Sequence, residues 1–422
     1  MRAAAQAGLY PRRHLSRDRR KAGGTLEAVV PVCASFVLED EGISLAFFHA
    51  MCDYRTMSGS VEWADVGERV RAARLAAGLT QEELGARTGL DRTMIVKIES
   101  GNRRIDAMEL VRLSSALQVP VDFLLRPVPL VLSRRTGVAT EEADTEVARE
   151  SGRLDLALVA WLHEVQQLVE LGVLLPGPLL RAEVPVDSKT AARELALWIR
   201  KQLGVDLDVI DSLVELCERA GQYVLVTDVP GEGASVVDGE LAVAVVSLHG
   251  DPGRRRATAA HELGHLVIGD EYSSDLGVHE SRADRESLLD AFAAELLLPS
   301  QVLIEERGVA DGISRDQLIS LAARYRTSWS LAIRQAGHAG VLRGEARHEW
   351  GRSTPTRSEF MEALGWAPQP DLGAIRVPPR YAHAVIEAWR RGALTATRAV
   401  ELMHGQISTT DLPAGAGADA EP

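Results

Sequence analysis

The spacing of apolar positions changes twice along the chain, and those changes divide it before any residue is given a role. From Val66 to Leu125 the apolar residues fall into short helical blocks separated by glycine, proline and capping signals. The first block runs from Val66 to about Ala77 and stops at Gly78. Thr80-Gln81-Glu82-Glu83 then reads as a capping box, in which the Thr80 hydroxyl and the Glu83 carboxylate each satisfy a backbone N–H that a helix start leaves unbonded. Gly89-Leu90 breaks that second helix, Asp91 is placed to cap a third ending at Ser100-Gly101-Asn102, and two more follow over Ala107 to Leu117 and Val121 to Leu125. Helical spacing resumes from Glu146 to Leu174, with Leu154, Leu158, Trp161, Leu162, Val165 and Leu168 on one stripe, then over Ser188 to Leu203 and Val209 to Ala220. Tyr223 to Val229 and Leu241 to Leu248 are short and valine-rich, which predicts two strands joined through a turn-rich segment starting Pro230-Gly231-Glu232-Gly233. Helices return over Arg256 to Ile268, Asp284 to Leu298, Arg315 to Tyr325 and Ser328 to Ala336; past Gly351, prolines leave only Tyr381 to Arg391 and Thr395 to His404 as short helices.

The pattern predicts a mainly α chain with a small β-sheet, divided into six segments. Residues 1–60 are expected to be a disordered arm or an over-called start, with Met51 or Met57 as the initiator. Residues 61–126 form a five-helix domain, 127–187 a linker and connecting helix, 188–343 an α+β domain, 344–412 a C-terminal helical region and 413–422 a disordered tail. Two or three folded units are the ordinary outcome for 422 residues.

Composition adds constraints. With 46% hydrophobic and 25% charged residues the chain is that of an ordinary globular protein. A net charge of -13 excludes coating nucleic acid by bulk electrostatics, so any DNA contact must come from a local patch. Cys33, Cys52 and Cys217 are odd in number and far apart, which suggests neither a disulfide framework nor a thiolate zinc site and fits a reducing cytoplasm. The basic residues before Ala28 to Leu38 lack the cleavage pattern of a secretion signal, and no stretch reaches the roughly 20 apolar residues of a membrane span.

A DNA-reading helix enters a major groove about 12 Å wide with its N-terminal side chains toward base edges. Leu79, Leu84, Leu90, Ile95 and Ile98 would hold the second and third helices together, leaving Gln81, Arg92, Thr93 and Lys97 outward. Gln81 can touch phosphate or an adenine edge, Arg92 and Thr93 are placed for bases, and Lys97, Arg103 and Arg104 suit phosphates. The run GLTQEELGARTGLDRTMIVKIESGNR resembles the lambda-repressor-like helix-turn-helix domains of the XRE family. Val61 to Arg126 holds ten acidic and ten basic residues, so a homodimer on a double-stranded operator is expected.

His261 and His265 lie four apart on an otherwise apolar helix, about 40° apart around its axis, so both can face one cation. Glu262 adjoins the first, where its carboxylate can take a proton from water that zinc has acidified. Three polar side chains on a helix that ought to be buried are costly unless they are ligands. A third ligand is needed. An HExxHxxGxxH solution is excluded by Ile268 and Glu271; His279 falls in an expected loop, and Glu286 on the next helix is the better placed, with Asp290 one turn on to orient a ligand imidazole.

RRATAAHELGHLVIGD followed by ESLLDAFAAELLLP resembles the ImmA/IrrE family of zinc metallopeptidases, with looser likeness from about Ser188 to Arg343. That resemblance implies a gluzincin-like fold, ligands His261, His265 and Glu286, and Glu262 as base; Leu289 departs from the small alanine usual there. It also implies a zinc endopeptidase acting on a protein or peptide, with an XRE-type repressor, this chain included, as a plausible substrate in stress, mobile-element or toxin-antitoxin control. Leu241 to Leu248 would hold the substrate by edge pairing, and Tyr272 and His279 are the nearby candidates for the oxyanion. The rival reading is a transcriptional regulator that senses zinc or a ligand without turnover.

Overall fold

The computed structural model describes residues 62–125, 133–134, 146–269, 279–307, 312–365 and 371–413. The expected N-terminal arm, most of the linker, Tyr272 and the tail beyond Pro413 lie outside them.

Five helices come first: α1 (Trp63–Ala76), α2 (Gln81–Thr88), α3 (Arg92–Glu99), α4 (Ala107–Leu117) and α5 (Val121–Leu125). The capping box opens α2, with the Glu83 N–H donating to Thr80 Oγ1 at 3.2 Å and the Thr80 N–H to Glu83 Oε2 at 2.7 Å. Gly89 ends it at a φ of 70°. Asp91 stands before α3 as expected, but its side chain makes no capping bond. Val66, Val70, Leu84, Ile95, Ile98, Leu113 and Leu124 form the core of this bundle.

Helix α6 (Glu146–Glu170) has two apolar sides. Val159 joins the bundle core, and Arg153 Nε donates to the Ala76 carbonyl at 3.1 Å. Leu154, Leu158, Trp161, Leu162, Val165 and Leu168 belong instead to a second core, shared with a sheet. The helix expected as a connector is therefore a wall common to both.

Two expected strands are present, β2 (Gln222–Thr227) and β4 (Leu241–Ser247), with β3 (Gly233–Asp238) between them in sequence and the two-residue β1 (Ser133–Arg134) before them all. The order is β1-β3-β4-β2, with β2 and β4 parallel and the other pairs antiparallel. This corrects two expectations. The segment after Pro230 is a strand, since Ala234, Ser235 and Val236 are buried and register with Val245, Ala244 and Val243. The strand from Leu241 cannot pair with a substrate at an edge, because β3 and β2 already bond to both its sides.

Alternation along these strands buries both faces. Tyr223, Leu225, Val243 and Val245 point to α6; Val224, Val226, Ala242, Ala244 and Val246 point to the opposite, larger core. That larger core is built by α7 (Lys189–Gln202), α8 (Leu213–Arg219), α9 (Pro252–Ile268), α10 (His279–Leu297), α11 (Ser300–Glu306), α12 (Arg315–Arg324) and α13 (Trp329–His338). Helix α10 starts at His279 rather than Asp284, which moves His279 out of its expected loop. Next come α14 (Gly344–Arg352) and α15 (Arg357–Leu364), and then α16 (Pro379–Arg390) and α17 (Ala396–Leu402), whose Tyr381, Val385, Ala388 and Leu402 pack on the α6 side of the sheet. Among the described residues no single helix is long and apolar enough to cross a membrane.

Candidate metal centre and nucleic-acid face

Helix α9 is fixed at both halves by buried polar contacts. Asp251 caps it, its carboxylate accepting from the Arg254 N–H at 3.2 Å. The Arg256 guanidinium is 1% exposed and pairs with Asp371 while donating to the Ile210 carbonyl at 3.0 Å. Burial lowers the Arg256 pKa, and the Asp371 carboxylate opposes that shift. Further along the helix, Gln222 Nε2 donates to the Glu262 carbonyl at 3.0 Å, tying β2 to the helix where the chemistry begins.

His261, Glu262 and His265 are completely buried. The two imidazole rings stand 5.0 Å apart at 70° to one another. Helix α10 brings two carboxylates to them: Glu286 Oε2 lies 3.1 Å from His261 Nε2, and Asp290 Oδ1 lies 3.3 Å from His261 Nδ1. One donor atom from each of His261, His265 and Glu286 falls within 4.8 Å of the other two. The Glu286 and Asp290 side chains are 36% and 42% exposed while His261 is fully buried, so the cluster opens to solvent on its α10 side.

The donor set fits zinc. Two imidazoles and one carboxylate are ligands that a catalytic zinc site uses, and three protein donors leave a position for water or substrate. Asp290 meets the ring nitrogen of His261 that faces away from Glu286, the arrangement by which an outer carboxylate fixes an imidazole's tautomer and orientation.

Sequence reasoning missed the partner of Glu262. The Ser235 hydroxyl, on β3, donates to Glu262 Oε2 at 2.7 Å in a buried setting. Gly233, two residues earlier, allows that approach, since a Cβ there would lie 2.5 Å from Thr258 Cγ2. A serine directly before the pair Val236-Val237 was the available signal, but it is informative only if that segment is a strand.

On the helical bundle, Arg92, Thr93, Lys97 and Arg104 are exposed, and Gln81 and Arg103 are half-buried. Gln81 Nε2 donates to Glu99 Oε2 at 2.8 Å, and Glu99 also holds Arg74 Nε at 2.6 Å. Arg103 is clamped by Glu109 through two bonds of 2.7 and 2.8 Å, and that pairing pulls the Glu109 carboxyl below the usual range. Both side chains therefore brace the domain.

Residues 70–124 match the family model described as Helix-turn-helix, and residues 217–335 match the one described as IrrE N-terminal-like domain. The chain thus carries an XRE-type helix-turn-helix domain, a DNA-binding module, followed by an IrrE/ImmA-like domain with a metallopeptidase-like fold. Among curated proteins it is similar to an uncharacterized HTH-type transcriptional regulator of Sinorhizobium medicae, 39% identical over 64 residues, which is 15% of this chain and 46% of that one. It is also similar to an uncharacterized transcriptional regulator in the ATPase CF(0) region of Rhodospirillum rubrum, 45% identical over 60 residues, 14% of this chain and 56% of the relative. The chain spans about half the length of the curated relatives it matches.

Proposed function

We propose that this chain is a DNA-binding transcriptional regulator of the cytoplasm whose second domain is a zinc-dependent endopeptidase that cuts a regulatory protein. The observation that carries the reading is the meeting of His261, His265 and Glu286 from two helices, with Glu262 beside them and Ser235 bonded to its carboxylate. Zinc, when bound there, would acidify water and polarise a peptide carbonyl. His261, His265 and Glu286 would hold it, and Asp290 would orient His261. Glu262 takes a proton from the attacking water and later delivers it to the amine released as the C–N bond breaks. The Ser235 hydroxyl fixes the carboxylate's rotamer for both transfers. Arg92 and Thr93 at the start of α3 read base edges, and Lys97 and Arg104 take phosphates. A balanced domain charge favours a homodimer spanning two half-sites.

The test compares metal content and proteolysis. Wild-type protein should purify with about one zinc per chain, Glu286→Ala with far less, and Glu262→Gln with full zinc but at least a hundredfold slower cleavage of its protein target, the range set by loss of a general base. Full regulation in cells by Glu262→Gln would establish the rival, a zinc-sensing regulator without turnover.

A further inference from the structure

A cleft of about 220 Å³ opens where β3 and α9 begin, lined by Gly231, Glu232, His249, Arg254, Arg255 and Thr258. The three metal-binding side chains are not among its walls, but the base adjoins it. A Cβ on Gly233 would lie 2.5 Å from Thr258 Cγ2 and 3.5 Å from Glu262 Oε1, so the strand, the cleft wall and the base meet at one point. Thr258 precedes Glu262 by one turn of α9, about 6 Å along the axis. An extended peptide advances about 3.3 Å per residue, so a chain whose scissile carbonyl lies beside Glu262 brings a side chain to this cleft within about two residues of the cut.

Size and charge both restrict the occupant. A volume of about 220 Å³ falls below the roughly 300 Å³ at which sites for whole small molecules begin, and suits one side chain of a bound peptide. Of the basic groups in the walls, Arg254 is neutralised by Glu232, and His249 pairs with Asp228 at 3.0 Å. Arg255 differs from them. Its Nη1 donates to the carbonyls of Leu248 and Gly250 at 2.6 and 2.9 Å, main-chain groups that hold the guanidinium without cancelling its charge. Among the described residues no carboxylate pairs with Arg255, and its Nε is buried with no acceptor. Nε and Nη2 form the side of a guanidinium that a carboxylate grips with both oxygens, and the two carbonyls leave that side open.

We propose that this cleft is a specificity subsite of the metal centre and takes an acidic side chain, aspartate or glutamate, of the protein that is cut, with Arg255 as its anchor. The assignment rests on the endopeptidase reading above and narrows it to substrates that carry a carboxylate within about two residues of the scissile bond.

Zinc-loaded full-length protein is given a sequence-diverse synthetic peptide library, and the cut sites are read by mass spectrometry. At one fixed position within about two residues of the cut, Asp and Glu should be favoured over Asn and Gln by at least about tenfold, the worth of hydrogen bonds to a charged group. Arg255→Gln should bring that ratio near one with zinc content unchanged, and Arg255→Glu should turn the preference toward Lys and Arg. Arg255→Lys should keep part of it, since lysine supplies the charge without the fork. A readout that needs no turnover is calorimetry on zinc-loaded Glu262→Gln with the α-hydroxamates of N-acetylglutamate and N-acetylglutamine, which share one metal-binding group. The glutamate compound should bind about tenfold tighter, and the two should bind equally once Arg255→Gln is added. Equal binding with Arg255 in place overturns the proposal. Loss of preference in all three Arg255 variants, Lys and Glu included, makes Arg255 a brace of its loop and likewise overturns it. Cleavage without an acidic preference, or with one that survives Arg255→Gln, overturns the proposal and leaves the endopeptidase standing. No cut in any peptide by the zinc-loaded protein removes the endopeptidase reading and this proposal with it.

Discussion

Gly264 and Leu289 fit each other across two helices: a Cβ on Gly264 would lie 3.0 Å from Leu289 Cδ2 and equally close to Phe292 Cδ1. The missing methyl lets α10 approach α9 closely enough for Glu286 to come within 3.1 Å of His261. Leu289, the departure from the alanine expected at that position, is fully buried against that gap. Gly264→Ala should therefore overpack the seam, costing about 1–3 kcal/mol of stability and weakening zinc binding by spreading the ligands. Thermal unfolding of the metal-free protein and a chelator competition measure the two effects. Adding Leu289→Ala should restore zinc affinity, and an unaltered affinity in the single variant would mean that the seam does not set the ligand positions.

The helix bearing the paired histidines was legible because its chemistry is local. His261, Glu262 and His265 sit within five residues, and Asp290 follows Glu286 at the one-turn spacing that puts both on one face. The cap of α2 was legible for the same reason. What escaped is what depends on distant pairing. β3 was hidden by the turn residues at its start, and its place on the outer side of β4 makes an interior strand of the one expected to offer a free edge. Ser235 meets Glu262 across 27 residues, a contact that no spacing rule announces. Helices α14 and α15 bury no residue, so neither carried an apolar stripe to be seen. The stripe on α6 was visible, but that its two sides serve two cores follows only from the sheet's position.

Glu218 joins the core domain to the C-terminal helices in a way that should depend on pH. Its carboxylate accepts the Arg380 N–H at 3.0 Å and the Tyr381 N–H at 3.2 Å, closing the first turn of α16. Burial raises its pKa above the ordinary carboxylate range, and the two backbone N–H groups pull the other way. An acid with a raised folded pKa holds its proton more tightly folded than unfolded. Its contribution is therefore complete below the unfolded pKa and is lost as pH rises through the folded one. Relative to Glu218→Gln, the wild-type melting temperature should fall as pH is raised through that window and then level off. A difference that shifts in favour of wild type with rising pH would show that the N–H bonds outweigh burial.

On the DNA-reading domain, two basic side chains assigned to phosphate in the sequence should separate by experiment. Lys97 is exposed on α3, while Arg103 is held by Glu109, whose carboxyl that pairing keeps below its usual range. A side chain that neutralises a phosphate releases counterions, so its removal should reduce the slope of log affinity against log salt by about 1 without lowering the melting temperature. Lys97→Ala should behave that way on a short duplex followed by fluorescence anisotropy. Arg103→Ala should leave the slope nearly intact and lower the domain's melting temperature, because it strips the partner from a carboxylate that is only 7% exposed. Its loss should matter less at acid pH, since a folded pKa below the unfolded one makes the Glu109 contribution vanish as pH falls through the folded value. If Arg103→Ala instead reduces the slope by a full unit at unchanged stability, then Arg103 leaves Glu109 to meet phosphate when DNA binds.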